Sequence, residues 1–266
     1  MTPVARSLLA AIVALSCATH SDRVEAETPT VPPGWTVISP PVTEEGWLCA
    51  NWARQQWSVE VAESGAVRID QATGRGGPIT LQMQGGRLIG TNRGEFGGAL
   101  EWEPAGSSRR ELILRGNPVA FVASPAGLFL AEGLAHLTIS RGRLFKLGQT
   151  DGQWTAVQVV DLGEAPDAVR LVDPTTLLVL TTSGVTQVDL AKQATTILFT
   201  NQQWRGYMHG NSIVRTSSGA ILIGMVRAVV VLAPSSSGFT EAWWVPSSCT
   251  RLRKASETGK CECVAS

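Results

Sequence analysis

The sequence predicts an all-β fold, on three observations. Short segments rich in Val, Ile, Leu and Thr recur along the chain. Gly or Pro punctuates them, as turns require. The pattern repeats with a period of about 40 to 50 residues, and no convincing amphipathic helix interrupts it beyond the first thirty residues.

Each copy of the repeat offers four strand-sized runs. The first copy places them at 79–83, 87–90, 99–102 and 110–114, with Gly85-Gly86 in the first turn. The second reads 119–123, 128–131, 134–139 and 156–160, and the third 168–172, 177–180, 185–188 and 195–199. The fourth reads 212–216, 221–224, 229–232 and 240–244. A further hairpin is expected at 57–61 and 66–69 around Ser64-Gly65, another strand at 35–38, and a last contribution from 249–264.

Over residues 57–246 this strand rhythm resembles the β-propeller superfamily as a whole. The likeness is architectural. The WD dipeptide, the kelch double glycine and the metal-binding aspartate repeats are missing from the sequence. The resemblance implies a small propeller of five four-stranded blades, closed by both chain ends so that no sheet edge is left open. A sixth blade in the N-terminal hundred residues and a β-sandwich with similar hairpins are the alternatives.

The N-terminal residues read as a targeting segment. Arg6 supplies a positive start and residues 8–16 (LLAAIVALS) an apolar run too short to span a bilayer. Val24-Glu25-Ala26 fits a cleavage site, giving a signal peptide at 1–26, a linker or strand at 27–46 and a propeller domain at 47–266. Ala14-Leu15-Ser16-Cys17 offers a competing lipoprotein reading, in which Cys17 is lipidated and begins the mature chain. Either route exports the protein to the periplasm or beyond, with a membrane anchor only through a lipid on Cys17.

Cysteine usage agrees with export. Setting Cys17 aside leaves Cys49, Cys249, Cys261 and Cys263, an even number suited to two disulfides in an oxidising compartment. A bond between Cys261 and Cys263 would be strained, so both remaining pairings tie Cys49 to the C-terminal pair. No metal site is expected. Charge is balanced, 22 Lys and Arg against 22 Asp and Glu, without the basic stripe that nucleic-acid binding needs.

The resemblance also implies where ligands would sit. Loops entering the first strand of each blade and loops joining the second and third strands ring the mouth of a central channel. This selects Arg93, Glu95, Asn117, Glu132, Asp167, His209, Asn211 and Arg227. The segment 204–212 (WRGYMHGNS) is the sharpest local feature, holding the single Tyr of the chain, Tyr207, with Trp204 and His209. Trp204 and Tyr207 can serve as stacking surfaces, and His209 as a polar or proton-transferring group; an aromatic plug between blades is the plainer reading. Ligand contacts are therefore expected from Arg93, Trp204, Tyr207, His209, Asn211 and Arg227. His136 lies on an alternating strand, and Glu101 and Glu103 share a strand face.

Three functions follow as expectations. The first is an exported, non-catalytic binding or scaffold propeller, with a protein or carbohydrate partner and no cofactor. The second is a propeller hydrolase or lyase acting on a sugar or lactone-like substrate, with His209, Asp167 and Glu132 as acid/base groups. The third is an envelope lipoprotein with a role in assembly. No nucleophile elbow, phosphate-cradling loop or HExxH pair is present to favour an enzyme.

Overall fold

Among the described residues, runs of aliphatic and β-branched residues broken by glycine fold into twenty-one strands, with one short α-helix and a single 3-10 turn at Gly94–Phe96. The structure is a computed structural model that describes residues 29–264, apart from residues 54, 63, 73–76, 207 and 255–260. The expected targeting segment, Cys17 and Tyr207 lie outside the described residues.

In chain order, Trp35–Ile38 (β1) is followed by the helix Glu44–Asn51 (α1) and by the hairpin Trp57–Val61 (β2) and Val67–Gln71 (β3). The first full sheet comprises Ile79–Met83 (β4), Gly86–Asn92 (β5), Gly98–Pro104 (β6) and Glu111–Arg115 (β7). The second comprises Pro118–Ser124 (β8), Gly127–His136 (β9), Ile139–Thr150 (β10) and Gln153–Asp161 (β11). The third comprises Pro166–Asp173 (β12), Thr176–Thr181 (β13), Gly184–Asp189 (β14) and Ala194–Thr200 (β15). Gly210–Arg215 (β16), Ile221–Met225 (β17), Val229–Ser235 (β18) and Gly238–Pro246 (β19) form the fourth, and β1 adds to the outer edge of β19. Arg251–Lys254 (β20) and Cys261–Val264 (β21) make a final hairpin. Every pairing is antiparallel between sequence neighbours, apart from β1 on β19. These repeated antiparallel four-stranded sheets are the architecture of a β-propeller.

Sheet-on-sheet packing orders the blades. One apolar cluster joins Leu88, Leu100 and Trp102 of the first sheet to Leu130, Phe145 and Leu147 of the second. Another joins Val122, Phe129 and Leu144 of the second to Leu177, Val179 and Val188 of the third. A third joins Leu178, Leu180 and Val185 to Ile213, Ile223 and Val230 of the fourth. A fourth sets Val214, Leu222 and Val231 against Val59 of β2, with Trp57 and Ile69 beside it. Strand β13 shows why its sequence reads as a continuous apolar run: Leu177 and Val179 meet one sheet, Leu178 and Leu180 the next, and all four are fully buried. Burying each such side chain contributes about 1.5–3 kcal/mol.

The inner strands follow one another: β4 lies beside β8, β8 beside β12, β12 beside β16, and β16 beside β2. Gly224 on β17 is required by this last approach, because a Cβ there would overlap the carbonyl oxygen of Trp57. Ser212 Oγ accepts from Val59 N at 2.9 Å and Asn211 Nδ2 donates to Trp57 O at 2.9 Å, fastening the hairpin to the fourth sheet.

Four sequence expectations are corrected. Residues 134–136 end β9 and do not start the third strand; the chain turns at Leu137 (φ 52°), and β10 begins at Ile139. The strand at 35–38 extends the fourth sheet and is not part of a separate closing blade. The 249–264 stretch pairs with itself as β20 and β21. A helix is also present. Thr43 caps α1 by accepting from Gly46 N at 3.1 Å, and Glu44 and Glu45 occupy its first turn, where carboxylates are favoured. Trp47 of α1 meets Trp243 edge-on, with ring centroids 5.4 Å apart. Among the described residues no helix is long and apolar enough to cross a membrane.

Two disulfides secure the termini. Cys49 bonds to Cys261 across 212 residues, with Cα atoms 5.2 Å apart, and Cys249 bonds to Cys263 across 14. This is one of the two pairings the sequence left open, and it is the chemistry of an oxidising compartment. Loop-closure entropy predicts that replacing Cys49 and Cys261 by Ala costs about 5 kcal/mol, and replacing Cys249 and Cys263 about 3 kcal/mol. Urea unfolding of the two double variants checks the order.

Candidate functional site

The entries to β4, β8, β12 and β16 converge on one cavity of about 450 Å³. All four full sheets line it. Gly77, Ile79 and Asn92 come from the first, Pro118 and Gly133 from the second, Ala165, Pro166 and Asp167 from the third, and His209 and Asn211 from the fourth. Glycines and proline rings give it small, rigid walls. Its polar groups are Asn92, Asp167, His209 and Asn211.

The 204–212 segment positions His209 by burying its neighbours. Trp204 is 1% exposed and Met208 2% exposed. Met208 N donates to Trp204 O at 2.8 Å, closing a compact turn that leaves His209 exposed at the cavity wall. Trp204 is thus not the open stacking surface expected among the ligand contacts. Its ring packs on Phe199 of the third sheet at 5.3 Å, and its Nε1 donates to Glu241 Oε1 of the fourth at 3.1 Å. Glu241 also accepts from Asn201 Nδ2 at 2.7 Å and Trp243 Nε1 at 2.8 Å. This is an aromatic plug between two blades.

Glu132, expected as an acid/base group, does not line the cavity. Its side chain is 1% exposed and paired with Arg143 Nη2 at 2.9 Å, while its other oxygen accepts from Asn117 N at 3.0 Å. Asn117 in turn ties the adjacent turn, donating from Nδ2 to Gly94 O at 3.1 Å and accepting from Arg93 N at 3.3 Å. Arg93 is exposed and outside the cavity lining. Ser183 donates to Glu164 Oε2 at 2.6 Å, and the same oxygen accepts from Thr181, Thr182 and Ser183 N. Of these loops, the one at Arg93 and Gly94 is tied to the next sheet through Asn117, whereas Glu132 and Ser183 bond within their own sheets or to the entry loop of the same sheet. Arg227 lies apart from the cavity, in a separate pocket.

The remaining candidates pair with neighbouring side chains. His136 Nε2 lies 2.6 Å from Glu95 Oε2, between turns of neighbouring sheets. Glu103 accepts from Arg110 Nε at 3.0 Å and Arg87 Nε at 2.8 Å, and Glu101 lies 3.5 Å from Arg110. The Arg110 and Arg87 hydrogen bonds hold the Glu103 carboxyl below its ordinary value. Among the described residues no three His, Cys, Asp or Glu side chains cluster as metal ligands. Asn92 was not selected from the sequence, although it sits on the strand end next to Arg93, in the loop class that was searched.

No protein-family model matches the sequence, and no curated protein does. Among solved structures, the chain is similar to a luciferin-regenerating enzyme at 13% identity and a TM-score of 0.41, covering 86% of this chain and 80% of that one. It is also similar to a candidate 6-phosphogluconolactonase from Bacteroides uniformis (11% identity, TM-score 0.40, 83% and 74% covered). A candidate gluconolactonase shows 13% identity and a TM-score of 0.37, with 88% and 90% covered. Likenesses this distant carry nothing about activity to this chain.

Two outcomes are expected. Replacing Trp204 by Ala removes a fully buried ring and costs about 3–5 kcal/mol in chemical unfolding. Glu103 has a folded pKa below its unfolded one, so its contribution is present above the ordinary carboxylate range and lost as pH falls through the folded value. The Tm difference between wild type and Glu103→Gln is therefore largest near pH 7 and shrinks towards pH 3.

Proposed function

We propose that the protein is an exported five-bladed propeller whose channel-mouth cavity binds a small polar ligand of the sugar or lactone kind without transforming it. One observation carries this reading: four successive sheets each supply groups to a single cavity. Its volume falls within the range of ordinary small-molecule sites. Two carboxamides, a carboxylate and an imidazole around small rigid walls suit a hydroxyl-rich molecule, because each presents both or either of donor and acceptor to it. The β2–β3 hairpin serves as the fifth blade, between the fourth sheet and the first. Export is supported by the two disulfides and by the apolar run at 8–16.

A hydrolase is the second reading, favoured by His209 and Asp167 in one cavity. The burial of Glu132 against Arg143 weighs against it, since it withdraws the second carboxylate from acid/base work.

Calorimetric titration with monosaccharides and aldonolactones, alongside a hydrolysis assay, separates the readings. Saturable binding is expected, weakened at least tenfold by His209→Ala and by Asp167→Asn, with no turnover. Lactone hydrolysis abolished by both substitutions would replace the binding reading with the hydrolase. No binding to any member of the panel at millimolar concentration would overturn both. Mass spectrometry of the mature protein is expected to place its N-terminus at Glu27; a lipidated Cys17 there would make it a membrane-anchored envelope protein instead.

A further inference from the structure

A second pocket lies where the α1–β2 linker, the β17–β18 turn and the C-terminal hairpin meet. Its volume is about 230 Å³, and it shares no lining residue with the channel-mouth cavity. Ala53, Leu252 and the disulfide-bonded Cys249, Cys261 and Cys263 give it mostly apolar walls. Among the described residues, Arg227 is the one basic group lining it.

Arg227 is unusual in three ways. It is 7% exposed, although arginine is almost never buried unless paired. No acidic group among the described residues pairs with it: Nη2 donates to Thr250 O at 3.2 Å, and Nε is buried with no hydrogen-bond partner among them. It also holds φ at 70°, a conformation that non-glycine residues rarely adopt. Three backbone contacts impose that geometry: Arg227 N donates to Gln55 O at 2.7 Å, its carbonyl accepts from Trp57 Nε1 at 3.0 Å, and Gln56 bridges Val226. A buried guanidinium is costly without a counter-charge, and desolvation alone lowers its proton affinity here.

We propose that this pocket is a binding site for a small organic monocarboxylate, with Arg227 as the counter-charge and the disulfide-lined walls around an apolar body. Size and charge choose the ligand class. An apolar cavity of about 150 Å³ admits benzene, so this one accepts a ring or a short acyl chain with a carboxylate attached. Arginine donates strong charge-assisted hydrogen bonds to carboxylates, and Arg227 brings that charge to the pocket wall. Glu262 lines the same pocket and is exposed, placing a negative group at its rim. That group disfavours a second negative charge on the ligand, and so favours a monocarboxylate over phosphate.

Ligand-observed NMR on the full mature chain tests this, using benzoate and hexanoate, with benzyl alcohol as the neutral counterpart and inorganic phosphate as competitor. Saturable benzoate binding is expected, at least tenfold tighter than benzyl alcohol. Arg227→Gln is expected to weaken it at least tenfold, Glu262→Gln to tighten it several-fold, and His209→Ala to leave it unchanged. Near-UV circular dichroism checks that Arg227→Gln is folded; if it is not, the benzyl alcohol and Glu262→Gln comparisons decide. Equal binding of benzyl alcohol, loss of benzoate to stoichiometric phosphate, a folded Arg227→Gln that still binds, or no binding by wild type would each overturn the proposal.

Discussion

Everything in this molecule depends on the packing of one sheet's face upon the next. A four-stranded sheet of this size has two faces and cannot bury both by itself. Each inner face is covered by a neighbour, so Leu177 to Leu180 are buried whichever way they point. That burial brings the first strands of successive sheets side by side, and their entry loops follow. The cavity exists because of this arrangement, since no single sheet supplies more than a few of its groups.

Polar groups at the sheet junctions fix the geometry that packing only approximates. Glu132, Glu164 and Glu241 each gather several donors from loops or from the next sheet. Glu132 and Glu241 lie on strands β9 and β19, and Glu164 in the loop before β12. Satisfied buried networks of this kind set register, whereas a half-satisfied one would destabilise the junction. Arg227 is the exception, a buried cation with an idle donor beside an open pocket.

The strands were legible in the sequence because their signals are local: an aliphatic or β-branched run bounded by Gly or Pro. The error at 134–139 has a local cause too. The turn between β9 and β10 is built on Leu137 and Thr138, with Leu137 in a left-handed conformation that its residue type does not announce. Helix α1 was missed because eight residues containing Gly46 show little periodicity, although Thr43 followed by Glu44 and Glu45 was a usable cap signal. The site was legible only in part. Asp167, His209 and Asn211 line the cavity from their entry loops, whereas Asn117, chosen from the same class of loop, is buried outside it. Trp204, Glu132 and Arg227 could not be placed that way, since their burial is decided by partners far along the chain, such as Glu241 for Trp204.

The ring itself is the central claim, because a shared channel mouth requires β2–β3 to stand between the fourth sheet and the first. Apolar clusters link the sheets from the first through the fourth to β2–β3. The most direct measurement is pulsed electron–electron distance spectroscopy on spin labels placed on β2 and β4, with a β4–β8 pair as the internal ruler. A closed five-bladed ring predicts the same narrow distance for both pairs. A longer and broader β2–β4 distribution would show an open arc, and would contradict the shared cavity as the organising feature of the fold.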